Sequence, residues 1–239
     1  AWKGSGAKAS DDVWFDIAER VGSTEFTGYA ANEGEGQVVA LVKDGTEVQS
    51  AGAKDTVTVI TNQTPFYGES GGQMGDAGVI SSSNMRGEVT DTAKPLGRLH
   101  AHQVIIGTGE IKVGDFVTLK IDTQRRDTLR ANHSATHLLH ASLRDRLGEH
   151  VTQKGSMVAP DRLRFDFSHN QAVTPQEIAM IEADVNAQIR GNETVTTRLM
   201  TPDDAVAAGA LALFGEKYGE EVRVLTMGKS EDTHYSLEL

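Results

Sequence analysis

The feature that most constrains the fold is a change of pattern near Asp122. Before this residue, short runs of β-branched and apolar residues alternate with turns that contain glycine. After it, residues 123–147 contain neither glycine nor proline, and their apolar residues recur with the period of a helix. The sequence therefore predicts a β-rich first part and a long helix at the start of a second part.

Several short strands are predicted in the first part. They are Gln37–Val42, Thr56–Thr61, Glu88–Thr90, His100–Ile106 and Phe116–Ile121. Strands at this spacing, separated by turns such as Asp44-Gly45, favour a small barrel or closed sheet. A long helix across residues 45–110 would contradict this prediction.

The second part is predicted to be α+β. The long helix gathers four leucines on one side, namely Leu129, Leu139, Leu143 and Leu147. Strands are expected at residues 155–158, 163–167, 194–199 and 221–227, and a short helix at residues 202–208. Thr174 and Glu177 form a capping box, with Pro175 at the first helical position, so a second helix should run from there to about Arg190.

The predicted fold class is α+β, with a small β-barrel-like domain over residues 21–121 and an α+β domain over residues 122–239. Residues 1–20 have the composition of a linker end or a short helix. The chain has no cysteine, which excludes disulfides and thiolate ligands within it. No apolar run approaches the ~18–20 residues that span a bilayer, and the N-terminal residues lack an apolar targeting core. We therefore expect no membrane partner and a cytoplasmic location.

Charge indicates where a polyanion could bind. The net charge of -11 argues against a general nucleic-acid coat. Residues 121–170, however, carry eight basic and six acidic side chains, a local net charge of +2. Any polyanion is expected to bind there, through Arg126, Arg130 and Arg144. The alternative is that these arginines pair with acidic neighbours.

Two histidines on the predicted long helix could share a metal ion. His133 and His137 are four residues apart, so they lie about 40° apart on one stripe. The same stripe holds Arg126, Arg130, His140 and Arg144. Such a polar stripe is typical of a helix that lines a wet cleft, although histidine pairs also occur at this spacing by chance. The metalloprotease motif is excluded, because Ser134 and not glutamate follows the first histidine.

A glycine-rich loop is the second chemical feature. Five of the residues from 68 to 78 are glycine, which lets backbone N–H groups approach a ligand closely. Glu69, Ser70 and Gln73 add hydrogen-bond donors and acceptors. The alternative is a hairpin with bulges. A third feature is Gln153, which could orient a small polar substrate or lie in a surface turn.

Three segments together resemble one family. Asn132–His140, with the sequence Asn-His-Ser-Ala-Thr-His-Leu-Leu-His, resembles the His-x-x-x-His motif of alanyl-tRNA synthetase editing domains. Thr64–Gly78 resembles the glycine-rich loop of that family, and Val151–Ser156 resembles the segment that follows its motif helix. The resemblance runs from about Phe26 to the C-terminus, and residues 1–20 resemble the connector that follows the aminoacylation half.

The resemblance implies a function. Members of this family hydrolyse the ester between tRNA for alanine and a wrongly attached serine or glycine. It implies a zinc ion held by His133 and His137, and a substrate site at Gln153 and the loop residues Glu69, Ser70, Gly71, Gly72 and Gln73. It also implies tRNA for alanine and the aminoacylation domain of the same polypeptide as partners, with ATP binding in the full-length protein.

This sequence departs from the family pattern at the metal site. The chain ends at Glu238-Leu239, about where a Cys-Gly-Gly-Thr-His segment with two more ligands would begin. With two of four ligands, the chain is expected to be largely free of metal. A free-standing deacylase and an inactive tRNA-binding module remain alternatives. We further expect residues 68–78 to face the stripe of His133 and His137.

Overall fold

The structure is a computed structural model that describes residues 7–208, 220–230 and 233–238. The chain divides into two compact units. The first contains Ala1–Leu129 with Ala159–Asp161, and the second contains Arg130–Val158 with Arg162–Leu239. The division falls inside the long helix.

The first unit is built mainly of short strands. After the helix α1 (Ala7–Val21), its strands are β1 (Glu25–Phe26), β2 (Glu33–Lys43), β3 (Thr46–Val48), β4 (Ser50–Gly52), β5 (Thr56–Thr61), β6 (Gln63–Thr64), β7 (Gly78–Ser81), β8 (Arg86–Ala93), β9 (Ala101–Thr108), β10 (Glu110–Lys112) and β11 (Phe116–Ile121). A 3₁₀ turn at Pro95–Gly97 lies between β8 and β9, and no α-helix crosses residues 45–110.

Six of these strands close into a barrel. Their order is β11-β7-β8-β9-β5-β2, and β2 pairs back with β11 from Phe116↔Gln37 to Lys120↔Glu33. All six pairings are antiparallel, and β3 extends the sheet beside β2. The predicted barrel and the α+β class are therefore confirmed.

Alternation along the strands explains the barrel core. In β5 and β9, every second side chain along most of the strand is buried, while most of the side chains between them are more exposed. This pattern arises because successive residues of a strand point to opposite faces of the sheet. The buried cluster includes Leu41, Val59, Phe66, Val104 and Leu119. Each of these five side chains is at most 1% exposed. Burial of this apolar surface is the main force that holds the unit together.

The helix α1 packs on the barrel. Its Ile17 and Ala18 are buried in a cluster with Ala40, Ile60 and Leu99. Of the two sequence interpretations for residues 1–20, a helix is present from Ala7 onward. The role of residues 1–20 as a connector stays a prediction.

The second unit contains most of the helix α2 (Thr123–Leu147), whose first turns belong to the first unit. It continues with β12 (Gln153–Val158), β13 (Leu163–Phe167), α3 (Pro175–Gly191), β14 (Val195–Met200), α4 (Pro202–Ala207), β15 (Val222–Ser230) and β16 (Thr233–Glu238). Strands β12 and β13 form a hairpin, and β14, β15 and β16 form a three-stranded sheet. A cluster around Leu143, Val151 and Ile181 joins α2, the hairpin and α3.

The ends of the helices follow the local sequence signals. Thr174 caps α3 and forms the predicted capping box with Glu177. The helix ends at Gly191, and Asn192 takes the left-handed conformation common after a helix. Gly148, with φ +114°, follows the end of α2 as expected. Gly209, the expected end of the short helix, lies outside the described residues. Among those residues, no helix is long and apolar enough to cross a membrane.

Two histidines are buried in the first unit in neutral form. His102 donates from Nδ1 to the carbonyl of Val59 at 2.8 Å, while its Nε2 accepts from the hydroxyl of Thr64 at 2.8 Å. His100 stacks on Phe26 with ring centroids 5.6 Å apart. Burial lowers the pKa of each imidazole to about 4.

We expect stability to fall when the pH drops from 6.5 to 4. The unfolded chain binds protons at these imidazoles near pH 6.5, whereas the folded chain resists protonation until about pH 4. The loss should approach roughly 3 kcal/mol per histidine and level off below pH 4. Urea unfolding at a series of pH values measures it. His100→Phe, which keeps a ring against Phe26, should flatten the slope, whereas His150→Gln at an exposed position should not. An unchanged slope in His100→Phe would contradict the prediction.

Candidate functional site

The tip of the glycine-rich loop is a tight turn. Ser70 and Gln73 exchange two backbone hydrogen bonds, with N···O distances of 3.3 and 3.0 Å. Gly71 and Gly72 between them have φ values of +58° and +83°, a combination that glycine adopts without strain. Residues 69–72 are exposed, so the turn presents backbone rather than bulky side chains to its surroundings.

The base of the loop is fixed by a buried ion pair. The Nε of Arg126 lies 2.9 and 3.0 Å from the two carboxylate oxygens of Asp76. The same guanidinium donates to the carbonyls of Gly28 and Pro65 at 3.1 and 2.9 Å. Asp76 also accepts a hydrogen bond from the backbone N–H of Tyr67 at 2.7 Å. The pair therefore ties both ends of the loop to the first turn of α2.

This pair changes the interpretation of Arg126. Its side chain is 10% exposed, and its charge is matched by Asp76. That arrangement favours the alternative in which the arginine pairs with an acidic neighbour. Arg144 donates to the carbonyls of Glu149 and Val151 at 2.6 and 2.8 Å, beyond the end of α2. Of the three arginines, only Arg130 is exposed.

A cavity of about 430 Å³ lies beside the loop tip within the first unit. Four of the five predicted loop residues line it: Glu69, Ser70, Gly71 and Gly72. Gln73 does not, and this residue is only 6% exposed. The other walls come from α1, β5, β8 and β9, together with the start of the 3₁₀ turn. Sequence spacing did not predict these neighbours, since no motif joins them to the loop.

The histidine pair lies in the second unit. The rings of His133 and His137 have centroids 5.0 Å apart and planes inclined by 18°. Both side chains are half-buried on successive turns of α2. Two imidazoles on successive turns of one helix are neighbouring donors of the type that zinc accepts.

The described part of the chain holds no group of three or more histidine or carboxylate side chains able to bind a metal ion. The two imidazoles therefore fit zinc as two donors of a site that needs further ligands. His140, predicted to lie on the same polar stripe, is 3% exposed and packs on Phe165, with ring centroids 5.2 Å apart. The stripe is thus partly buried, because aromatic contact with the hairpin stabilises His140 away from water.

Gln153 lies at the start of β12, in the same unit as the histidine pair. Its amide donates to the hydroxyl of Ser156 at 3.3 Å, and the side chain is half-buried. The pairing with β13 shifts between Gln153 and Gly155, which is a β-bulge. Bulges re-aim side chains next to sites, which is compatible with a substrate contact. The expectation that residues 68–78 face the histidines stays a prediction, since the two features belong to different units.

A family model described as tRNA synthetases class II (A) matches residues 2–125, just over half of the chain. The chain belongs to this class II tRNA synthetase family. The match covers the barrel, the glycine-rich loop and the first turn of α2. Of the three motif segments, this match includes Thr64–Gly78, and it confirms the resemblance to the aminoacyl-tRNA synthetases.

Curated relatives extend the similarity to the whole chain. The alanine–tRNA ligase of Sphingopyxis alaskensis is 70% identical over 240 residues, which cover 100% of this chain and 27% of the relative. That of Rhizorhabdus wittichii is 66% identical over 231 residues, 96% of this chain and 26% of the relative. That of Parvibaculum lavamentivorans is 58% identical over 243 residues, with 100% and 27% coverage. The chain thus spans about a quarter of the length of these relatives.

Proposed function

We propose that this chain is the editing part of an alanine–tRNA ligase. It hydrolyses the ester that links a wrongly attached serine or glycine to tRNA for alanine. The observation that carries the proposal is the pair of half-buried imidazoles, His133 and His137, one helical turn apart on α2. The three motif segments and the alanine–tRNA ligases among the relatives support the same function.

Under this proposal His133 and His137 would each give one nitrogen to zinc, and the remaining ligands would come from the family's Cys-Gly-Gly-Thr-His segment. When bound, zinc would supply one of three effects, namely polarising a carbonyl, generating hydroxide or positioning the ester. The chain's own contribution is to hold the two imidazoles at a fixed separation on a rigid helix. An aminoacyl ester is already activated, so modest catalysis suffices.

Gln153 accounts for the preference for serine. Its amide both donates and accepts hydrogen bonds, so it can bind the serine hydroxyl. Alanine has no such hydroxyl and would leave this half-buried amide without its substrate partner, which gives a preference against alanine. Glycine also lacks the hydroxyl, so its removal does not depend on this contact. Arg130, exposed in the basic segment, is the arginine that the proposal assigns to the tRNA phosphates.

A deacylation time course in a full-length alanine–tRNA ligase that carries this sequence tests the proposal. We expect seryl-tRNA for alanine to be hydrolysed more than about 100-fold faster than alanyl-tRNA, a ratio that a site pairing a substrate hydroxyl can reach. Gln153→Ala should reduce this ratio for serine and leave glycine removal nearly unchanged. Gln176→Ala, at an exposed position on α3, is the matched control.

Two results would contradict the proposal. Equal rates of hydrolysis for seryl- and alanyl-tRNA would show that the chain does not perform editing. Retained tRNA binding without hydrolysis of either ester would instead identify a non-catalytic tRNA-binding module.

A further inference from the structure

The cavity beside the loop tip has walls of distinct chemistry. Thr58 and Gln103 face each other in the pairing of β5 with β9, and Ala93 pairs with Ala101 in that of β8 with β9. All four line the cavity, so small and polar side chains form its strand surface. Trp14 lines it from α1.

The combination suits a flat heteroaromatic ring. The indole of Trp14 offers an aromatic surface for stacking, and the methyl groups of Ala93 and Ala101 leave space beside it. Gln103, Thr58 and Glu69 supply the donors and acceptors that read the edge of a base. The volume of about 430 Å³ is within the range of small-ligand sites.

The charges favour a ligand with both a base and a phosphate. Among the described residues that line the cavity, Lys94 is the one cationic side chain and Glu69 is the one carboxylate. Because these charges offset each other, an isolated anion gains little net attraction. A nucleotide separates its two parts, so its phosphate can lie by Lys94 while its base edge meets Glu69 and Gln103. The bare backbone of Gly71 and Gly72 allows close approach of the sugar.

We propose that this cavity binds a single-stranded nucleotide of the tRNA substrate, with the base against Trp14 and a phosphate by Lys94. The identity of the RNA rests on the proposed function. The binding of a nucleotide rests on the cavity alone.

The indole of Trp14 provides the measurement. The chain has two tryptophans, so Trp2→Phe leaves Trp14 as the sole source of indole fluorescence. A single-stranded RNA trinucleotide should quench this signal in a saturable and salt-dependent manner. Adenosine monophosphate, which represents a free nucleotide, should bind more weakly than the trinucleotide because it lacks the neighbouring nucleotides. Lys94→Ala should weaken trinucleotide binding. It should also lower the slope of the binding constant against salt concentration, on logarithmic axes, by about the amount due to one phosphate contact.

Matched variants separate stacking from folding. By anisotropy of a labelled trinucleotide, Trp14→Leu should weaken binding roughly 5- to 150-fold. Phe15→Leu, an exposed aromatic next to Trp14 and outside the lining, should not. Because Trp14 also packs near Ile17, circular dichroism checks the fold of that variant. Gln103→Ala is an exposed change that weakens binding without this concern, and Lys112→Ala is the control for Lys94→Ala.

The outcomes are distinct. Affinity for the trinucleotide that Lys94→Ala and Gln103→Ala leave unchanged would overturn the proposal, as would the absence of quenching. Adenosine monophosphate binding as tightly as the trinucleotide would overturn the assignment to RNA. If the chain does not bind the trinucleotide while seryl-tRNA is still hydrolysed, the cavity assignment is wrong and the editing function stands. Trinucleotide binding without hydrolysis would refute the editing function alone.

Discussion

We expect bound zinc to rise towards one ion per chain when Cys-Gly-Gly-Thr-His is added after Leu239, and hydrolysis of seryl-tRNA for alanine to appear or increase. His133 and His137 supply two imidazoles, and zinc prefers four ligands or three with water. The added segment contributes a thiolate and another imidazole. In the extended chain, His133→Ala or His137→Ala should reverse both gains and lower zinc affinity by more than about 100-fold, since even ligand-supporting groups are worth 10- to 100-fold. Metal analysis and a deacylation time course measure the two effects.

The chain offers a matched control for this experiment. His150 and His169 stack with centroids 5.1 Å apart and planes inclined by 19°, nearly the geometry of the motif pair. Their facing nitrogens are 2.9 Å apart in a hydrogen bond. His150→Ala should therefore leave the bound zinc unchanged. If it lowers zinc as much as His133→Ala does, or if the extended chain binds no more zinc than the short one, the assignment of the motif histidines as ligands is wrong.

Arg126→Ala or Asp76→Ala should lower the free energy of unfolding by about 3–5 kcal/mol, because each leaves its partner's charge buried without compensation. Asp76 is 1% exposed, so water cannot replace the lost partner. Urea denaturation gives the value. Arg20→Ala, which breaks an exposed pair with Glu47, is the control and should cost no more than about 1 kcal/mol.

The same substitutions test the role of the pair in the loop. Arg126→Ala frees the carbonyls of Gly28 and Pro65 as well, so proteolysis at residues 68–78 should accelerate. A cost for Arg126→Ala no larger than that for Arg20→Ala would show that the pair does not hold the loop.

Local patterns predicted much of the fold. The change of hydrophobic pattern near Asp122 predicted the β-rich part and the start of α2, because the periods of strands and helices, 2 and 3.6 residues, are visible in the sequence itself. Thr174 and Glu177 gave the start of α3, because a capping box is a contact between residues three apart. The spacing of the strands indicated a closed sheet, but the pairing of β2 with β11 that closes it could not be assigned from the sequence.

Contacts over long sequence separations were not predictable. Asp76 and Arg126 are 50 residues apart, and no periodicity links a loop carboxylate to a helical arginine. The helical period therefore predicts the arginine on a polar stripe, although its charge is matched inside the first unit. The lining of the cavity by Trp14 and Lys94 depends in the same way on how α1 and the 3₁₀ turn pack on the barrel.

One unbroken helix shared by both units restricts how the chain can be dissected. Any cut between Leu129 and Arg130 severs α2 after about two turns, and helix formation is cooperative, so the short piece would not persist alone. A second unit expressed from Arg130 would also lose Asp122, whose carboxylate accepts from the backbone N–H of Arg125 at 3.0 Å. Chimaeras that exchange the histidine-bearing half between relatives must therefore join at the β11–α2 boundary. The exchanged helix then brings its own Arg126, which has to pair with Asp76 of the recipient's first unit.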